Sequence, residues 1–228
     1  MIKLSIVSNE ASYNLEIFPP ILELGDWEFK AGCIRDFSTN FDLGMRDILL
    51  PRNDYRPYQI YFKKTYLDKP ETFSADIGFD SINTRSENFE SVENMVQKHC
   101  TVLDSVFGKI GFSPKAQTVS YTAHASIVEG KTDEYLDSLV IPPSELFGVI
   151  KTKGAYYSFD GPIEKSVAQI MVGDSIVVPS GLYLSIQFFF SGDFKDYKEL
   201  FRRCADYTRN QILPKFDIVI EEKELGAK

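Results

Sequence analysis

The residues with most chemical potential in this sequence are carboxylates set among apolar neighbours. Asp217 lies between Phe216 and Ile218 in an apolar run, Phe216–Ile220, that reads as a strand. Asp76 lies between Ala75 and Ile77 in a second such run, Phe73–Phe79. A carboxylate buried unpaired is costly, and aromatic walls around one would favour an organic cation through cation–π attraction. The plainer alternative is a carboxylate facing solvent on an edge strand. The strand Leu182–Phe190 sorts its residues by parity: Leu182, Leu184, Ile186, Phe188 and Phe190 on one face, Tyr183, Ser185, Gln187 and Phe189 on the other. The first set suits a core. The second suits a ligand-facing surface or an ordinary half-solvated sheet face. Tyr121, Tyr156 and Tyr157 are further aromatic candidates.

Other chemistries lack the residues they need. His99 falls on the apolar stripe of a helix, where core packing is the better reading. His124 has no cysteine or carboxylate at ligand spacing, so no metal is expected. Cys33, Cys100 and Cys204 are an odd number without CxxC spacing; a reduced, cytoplasmic setting fits them. Phosphate-loop, dinucleotide and nucleophile-elbow motifs are absent, so neither a cofactor nor a catalytic residue is assigned.

The elements that must position these residues are legible in outline. Two helices are expected, about 89–107 and 193–212. The first has the stripe Phe89, Val92, Met95, Val96, His99, Val102, Leu103, Val106 and Phe107, opened by Ser86. The second has Phe194, Tyr197, Leu200, Phe201, Cys204, Tyr207 and Ile212, capped by Asp193 and stopped by Pro214. Strands are expected at Lys3–Val7, Leu15–Phe18, Glu28–Ile34, Tyr58–Tyr66, Phe73–Phe79, Val119–Val128, Leu146–Thr152, Ala155–Phe159, Val167–Val172, Ser175–Pro179, Leu182–Phe190 and Phe216–Ile220. Short helices are expected at Asp42–Leu50 and Lys131–Leu139. Setting Phe89 on Phe194 superposes the stripes, with His99 on Cys204. The implied fold is α+β: a structural duplication with an antiparallel sheet, two long helices on one face, and a ligand pocket between the two halves. Residues 1–54 form a β-rich N-terminal extension and 55–228 the main domain, with a boundary near Arg52-Asn53-Asp54 and Pro57.

At 228 residues, 43% apolar and 14% aromatic, the chain can build a large core. A net charge of −8, and five basic against nine acidic residues in the first 54, argue against direct nucleic-acid binding. No signal peptide or membrane span is expected, hence no membrane partner.

The run Ile176-Val177-Val178-Pro179-Ser180-Gly181-Leu182-Tyr183, followed by a strand, an aromatic-rich helix and Phe216-Asp217-Ile218-Val219-Ile220, resembles the GyrI-like small-molecule-binding family. The likeness is to effector-binding domains of bacterial MerR-type multidrug-sensing transcription regulators. A weaker match covers Phe73–Phe79, the helix from Ser86 and Gly111-Phe112. The resemblance spans about three quarters of the chain, from Tyr58 to Glu222. It implies duplicated strand-helix-strand-strand modules and, between them, a pocket for lipophilic, cationic aromatic molecules, lined by Tyr183 with Asp217 at the family's buried glutamate position, one methylene shorter. Phe189 and Gln187 share the parity of Tyr183, and Asp76 is a second carboxylate candidate. The family's helix-turn-helix is missing, and Pro142–Asp174 aligns poorly. Binding or sensing of such a ligand is the expectation. The alternatives are a hydrolase acting on small electrophiles in the same pocket, and an acidic module that inhibits a protein partner.

Overall fold

In the computed structural model, which describes residues 1–49, 58–111, 113–139, 153–191, 194 and 196–221, the chain opens with an unbroken 16-residue strand, β1 (Ile2–Ile17). Its buried positions change phase, from Ile2 and Leu4 to Ala11, Tyr13, Leu15 and Ile17. That shift explains why the sequence reads as two short strands, Lys3–Val7 and Leu15–Phe18. Helix α1 (Trp27–Phe41) replaces the strand expected at Glu28–Ile34. The Asp26 carboxylate accepts from the Glu28 N–H at 2.8 Å, and Cys33, Phe37 and Phe41 repeat every four residues to make its buried stripe. The local alternation of Phe29, Ala31 and Cys33 imitated a strand. Asp42–Leu50 is not the expected helix: its described part is a turn and a two-residue strand, β2 (Ile48–Leu49).

Strands β3 (Ile60–Thr65), β4 (Thr72–Ile77) and β5 (Ser81–Glu87) follow, then α2 (Val92–Phe107). Strand β5 has no counterpart in the sequence reading, which opened a helix at Ser86. Instead Ser86 is a buried strand residue, and the cap is Ser91, whose hydroxyl accepts from the Asn94 N–H at 3.2 Å. Next come β6 (Pro114–Glu129), α3 (Thr132–Leu139), β7 (Gly154–Asp160), β8 (Ser166–Asp174) and β9 (Leu182–Ser191). Helix α4 (Tyr197–Tyr207) runs on through a π turn, Thr208–Ile212, and one last α turn, Leu213–Lys215, before β10 (Ile218–Ile220). Ser175–Pro179 is a turn, not a strand. The expected cap Asp193, strand Leu146–Thr152, boundary residues Arg52–Pro57 and Phe112 lie outside the described residues.

The protein is α+β, and its described strands pair antiparallel except β10, which runs parallel to β1 with Ile2 opposite Ile218. The chain divides into two units. The first holds Met1–Asn9, Ser120–Phe188 and the residues from Arg203 onward. Its sheet contains β6, β9, β8 and β7 in that order, with α3 against β7 and β8 and Tyr207, at the end of α4, against Phe188 of β9 at 6.3 Å. The second holds Glu10–Val119 and Phe189–Arg202. There β2, β3, β4, β5 and the C-terminal part of β1 are neighbours in order, with Tyr61 opposite Asp76, Asp76 opposite Asn83, and Tyr13 opposite Thr84. Helices α1 and α2 cover this sheet over a core rich in aromatics: Phe41 stacks on Phe73 at 5.0 Å and packs against Phe62 at 5.3 Å. No described helix is long and apolar enough to cross a membrane.

Candidate functional site

In the first unit the last helical turn delivers Asp217 to the surface. Phe216 N–H bonds back to Ile212 and Leu213, Asp217 N–H bonds to Pro214 O at 3.1 Å, and Asp217 takes the left-handed conformation, φ 52°. Aspartate tolerates this geometry better than a branched residue does, which suits it to ending a helix. Asp217 is therefore exposed in a turn, not embedded in a strand as its apolar neighbours suggested; β10 begins one residue later. Its carbonyl accepts from Ile2 N–H at 2.8 Å, which seats the turn on the start of β1.

Three aromatic rings gather at this turn. Tyr135, on α3, is buried and donates its hydroxyl proton to Phe216 O at 2.7 Å. Tyr157, on β7 and 40% exposed, packs edge-on against the Phe216 ring at 5.3 Å. Its hydroxyl donates to Leu139 O at 2.9 Å. Burial pushes the Tyr135 hydroxyl well above its usual range, and the Asp217 carboxylate and then Tyr157 push it further. Asp217 thus acts electrostatically on the aromatic group. Both tyrosine hydroxyls donate to backbone carbonyls, which fixes the orientation of their rings.

The other candidate residues do not converge on this place. In the first unit, Tyr183 and Gln187 alternate with buried Leu182, Leu184, Ile186 and Phe188, as parity predicts. Tyr183 packs on His124 at 5.0 Å on the sheet face away from the helices. Tyr121 contacts Phe188, so it belongs to the helix-covered face instead. Its buried hydroxyl has no hydrogen-bond partner, and burial raises it far above the usual phenol range. Tyr157 shares the covered face as well, because its register partner Ile170 is buried there. A strand's alternation cannot place Tyr183 and Tyr121 around one ligand when their parities oppose. In the second unit, Asp76 accepts from Gln59 Nε2 at 2.6 Å, and Phe189 is 36% exposed.

The sequence reading missed one arrangement. Ser175 Oγ accepts from the N–H groups of Val177 (3.1 Å) and Val178 (2.8 Å), so its own proton goes to His124 Nδ1 at 2.8 Å. This serine locks the turn before β9 and has no lone pair to spare for nucleophilic attack. A Ser-x-x-Val turn read as strand concealed it.

An open cleft of about 350 Å³ in the first unit is lined by Pro162, Arg203, Asp206, Tyr207, Asn210 and Gln211. One of about 360 Å³ in the second is lined by polar residues including Asn14, Glu16, Asp80 and Asn83. Neither includes a candidate residue. Comparison with family models, curated proteins and solved structures finds no match to this chain.

Proposed function

We propose that this protein binds small lipophilic aromatic cations, and that Asp217 with Phe216 and Tyr157 is the surface that takes them, backed by the buried ring of Tyr135. The observation that carries this reading is the exposed carboxylate at a fixed turn beside three rings, two of them anchored by their hydroxyls. The rings offer area and cation–π attraction, and the carboxylate offers selection by charge. The GyrI-like resemblance points to the same ligand class, and we read the order of elements as a duplication of the kind that resemblance implies. With the two-residue β2 set aside, the chain order strand, helix, three strands, helix recurs: β1, α1, β3, β4, β5, α2, then β6, α3, β7, β8, β9, α4. Both opening strands have 16 residues, and Met95 and His99 on α2 correspond to Leu200 and Cys204 on α4, all buried. On this reading the repeated module is longer than strand-helix-strand-strand.

The test is a calorimetric or fluorescence titration with a cationic aromatic compound and its neutral isostere. The native protein should favour the cation. Asp217→Asn should reduce the cation-to-neutral affinity ratio by roughly fivefold, the modest worth of an exposed charge contact. Tyr157→Ala should weaken both compounds alike. An unchanged ratio in Asp217→Asn removes Asp217 from the role. The interaction-module alternative draws on a separate feature: Tyr156, Val167 and Met171 are exposed on the uncovered face of the first unit. The hydrolase alternative is the weaker one, since Tyr135, Tyr157 and Ser175 have their hydroxyls engaged.

A further inference from the structure

We infer that strand β7 pairs with β7 of a second copy of this chain, antiparallel and centred on Tyr156. Strand β7 ends the sheet order of the first unit, and among the described residues β8 is its one strand partner. The direction of its backbone groups follows from its ends. Lys153 O accepts from Asp174 N–H at 3.0 Å and Gly161 N–H donates to Ser166 O at 2.9 Å. Odd-numbered residues therefore bond to β8, and Gly154, Tyr156, Ser158 and Asp160 turn their N–H and C=O groups outward. Of these four carbonyls, that of Asp160 has a partner, the Tyr207 hydroxyl at 3.0 Å. Among the described residues no backbone group bonds the outward edge of Gly154, Tyr156 or Ser158.

Proteins blunt such edges with lysine, proline, a bulge or inward charge. The stretch Gly154-Ala155-Tyr156-Tyr157-Ser158-Phe159 has none of these, and Tyr156 is 59% exposed. The edge is self-complementary. With Tyr156 opposite the second copy's Tyr156, Gly154 falls opposite its Ser158, and all three outward residues exchange both bonds about one twofold axis. Ala155 then faces the second copy's Tyr157, small against large. No charge lies inside the paired segment, so the acidic character of the whole chain, net −8, places no like charges face to face there. This symmetry favours a second copy over an unrelated extended peptide.

Sedimentation velocity on the full chain tests the inference, with two variants. The native protein should approach twice the mass of one 26.0 kDa chain as concentration rises through the micromolar range. Ser158→Pro removes an outward donor at an edge position that tolerates proline, and should leave a folded monomer by circular dichroism. Tyr156→Cys under mild oxidation should give a disulfide-linked dimer, because a hydrogen-bonded antiparallel pair sets its Cα atoms about 5.5 Å apart, within disulfide range. The three native cysteines are buried and give little background. A native chain that stays monomeric, a dimer that survives in folded Ser158→Pro, or Tyr156→Cys that fails to cross-link overturns the proposal.

Discussion

His99 shows how far a single side chain can be bent to packing. Its Nδ1 meets Thr84 Oγ1 at 2.5 Å and its Nε2 meets Ser86 Oγ at 3.2 Å, with the Phe73 and Phe201 rings at 5.4 and 5.2 Å. Burial, helped by nearby Lys98, lowers its pKa from 6.5 to about 3. The folded protein keeps this imidazole neutral while the unfolded chain protonates it below 6.5. The contribution is therefore fully present above pH 6.5 and is lost as pH falls from 6.5 toward 3. The loss attributable to His99 should approach roughly 3 kcal/mol by pH 4, at about 1.4 kcal/mol per pH unit. Urea unfolding of the native protein and His99→Gln at pH 7 and pH 4 checks this: the stability gap between them should narrow in acid. Lys98 makes a second buried commitment. Its ammonium meets the Glu71 carboxylate at 2.5 Å, with both side chains largely buried, and sits 4.3 Å from the Tyr66 ring centroid. Lys98→Met should destabilise by about 3–5 kcal/mol, because it strands a buried carboxylate. Replacing both partners together, as Glu71→Gln with Lys98→Met, should cost less than Lys98→Met alone.

At the scale of elements, the turn from Ser175 to Gly181 sets where β9 begins. Gly181 N–H bonds to Val178 O at 2.9 Å, Ser175 N–H bonds to Gly181 O at 2.9 Å, and Ser180 has φ 52°. A Cβ on Gly181 would stand 2.5 Å from Ala125 O and 2.7 Å from Val178 side-chain atoms. Backbone cannot retreat as a flexible side chain can, so Gly181→Ala should destabilise by roughly 1–3 kcal/mol, the range for overpacking. A thermal or urea melt reads this directly, and an unchanged midpoint would mean that the turn is freer than its contacts suggest. The same turn shows the limit of local reading: Ile176, Val177 and Val178 have strand composition, yet two N–H bonds to one serine hydroxyl fold them into a loop. Helices α2 and α4 were legible because their apolar stripes repeat at helical spacing. Helix α1 was not, since its buried stripe of Cys33, Phe37 and Phe41 begins only at the last of the alternating residues Phe29, Ala31 and Cys33 that imitate a strand.

For the whole molecule, the two units present different uncovered sheet faces. The first offers Tyr156, Val167, Met171 and Tyr183, and the second offers Glu10, Asn14, Asp76, Asn83 and Arg85, with Arg85 bound to Glu10 and Glu87 at 2.7 and 2.8 Å. On these two faces the exposed apolar side chains are the first unit's and the charged ones the second's. If β7 self-pairs, mass action makes the melting temperature of the native chain rise with protein concentration, and that of Ser158→Pro should not. Scanning calorimetry over a wide concentration range reads the difference.

The sequence alone determined which segments have a buried face and what that face contains. The alternation along Leu182–Phe190, the stripes of α2 and α4, and the burial of Cys100 and Cys204 follow from periodicities within a few residues. Tertiary structure decided everything that depends on which segment lies beside which. It made one strand of two in β1, placed Ser86 in β5 against His99, and set Tyr121 and Tyr183 on opposite faces. It also moved Asp217 from an apolar strand into an exposed left-handed turn beside Tyr135 and Tyr157. Periodicity fixes a residue's direction relative to its own element. Register and partner are set by contacts between residues far apart in the chain, such as Tyr135 and Phe216, and no local pattern records them.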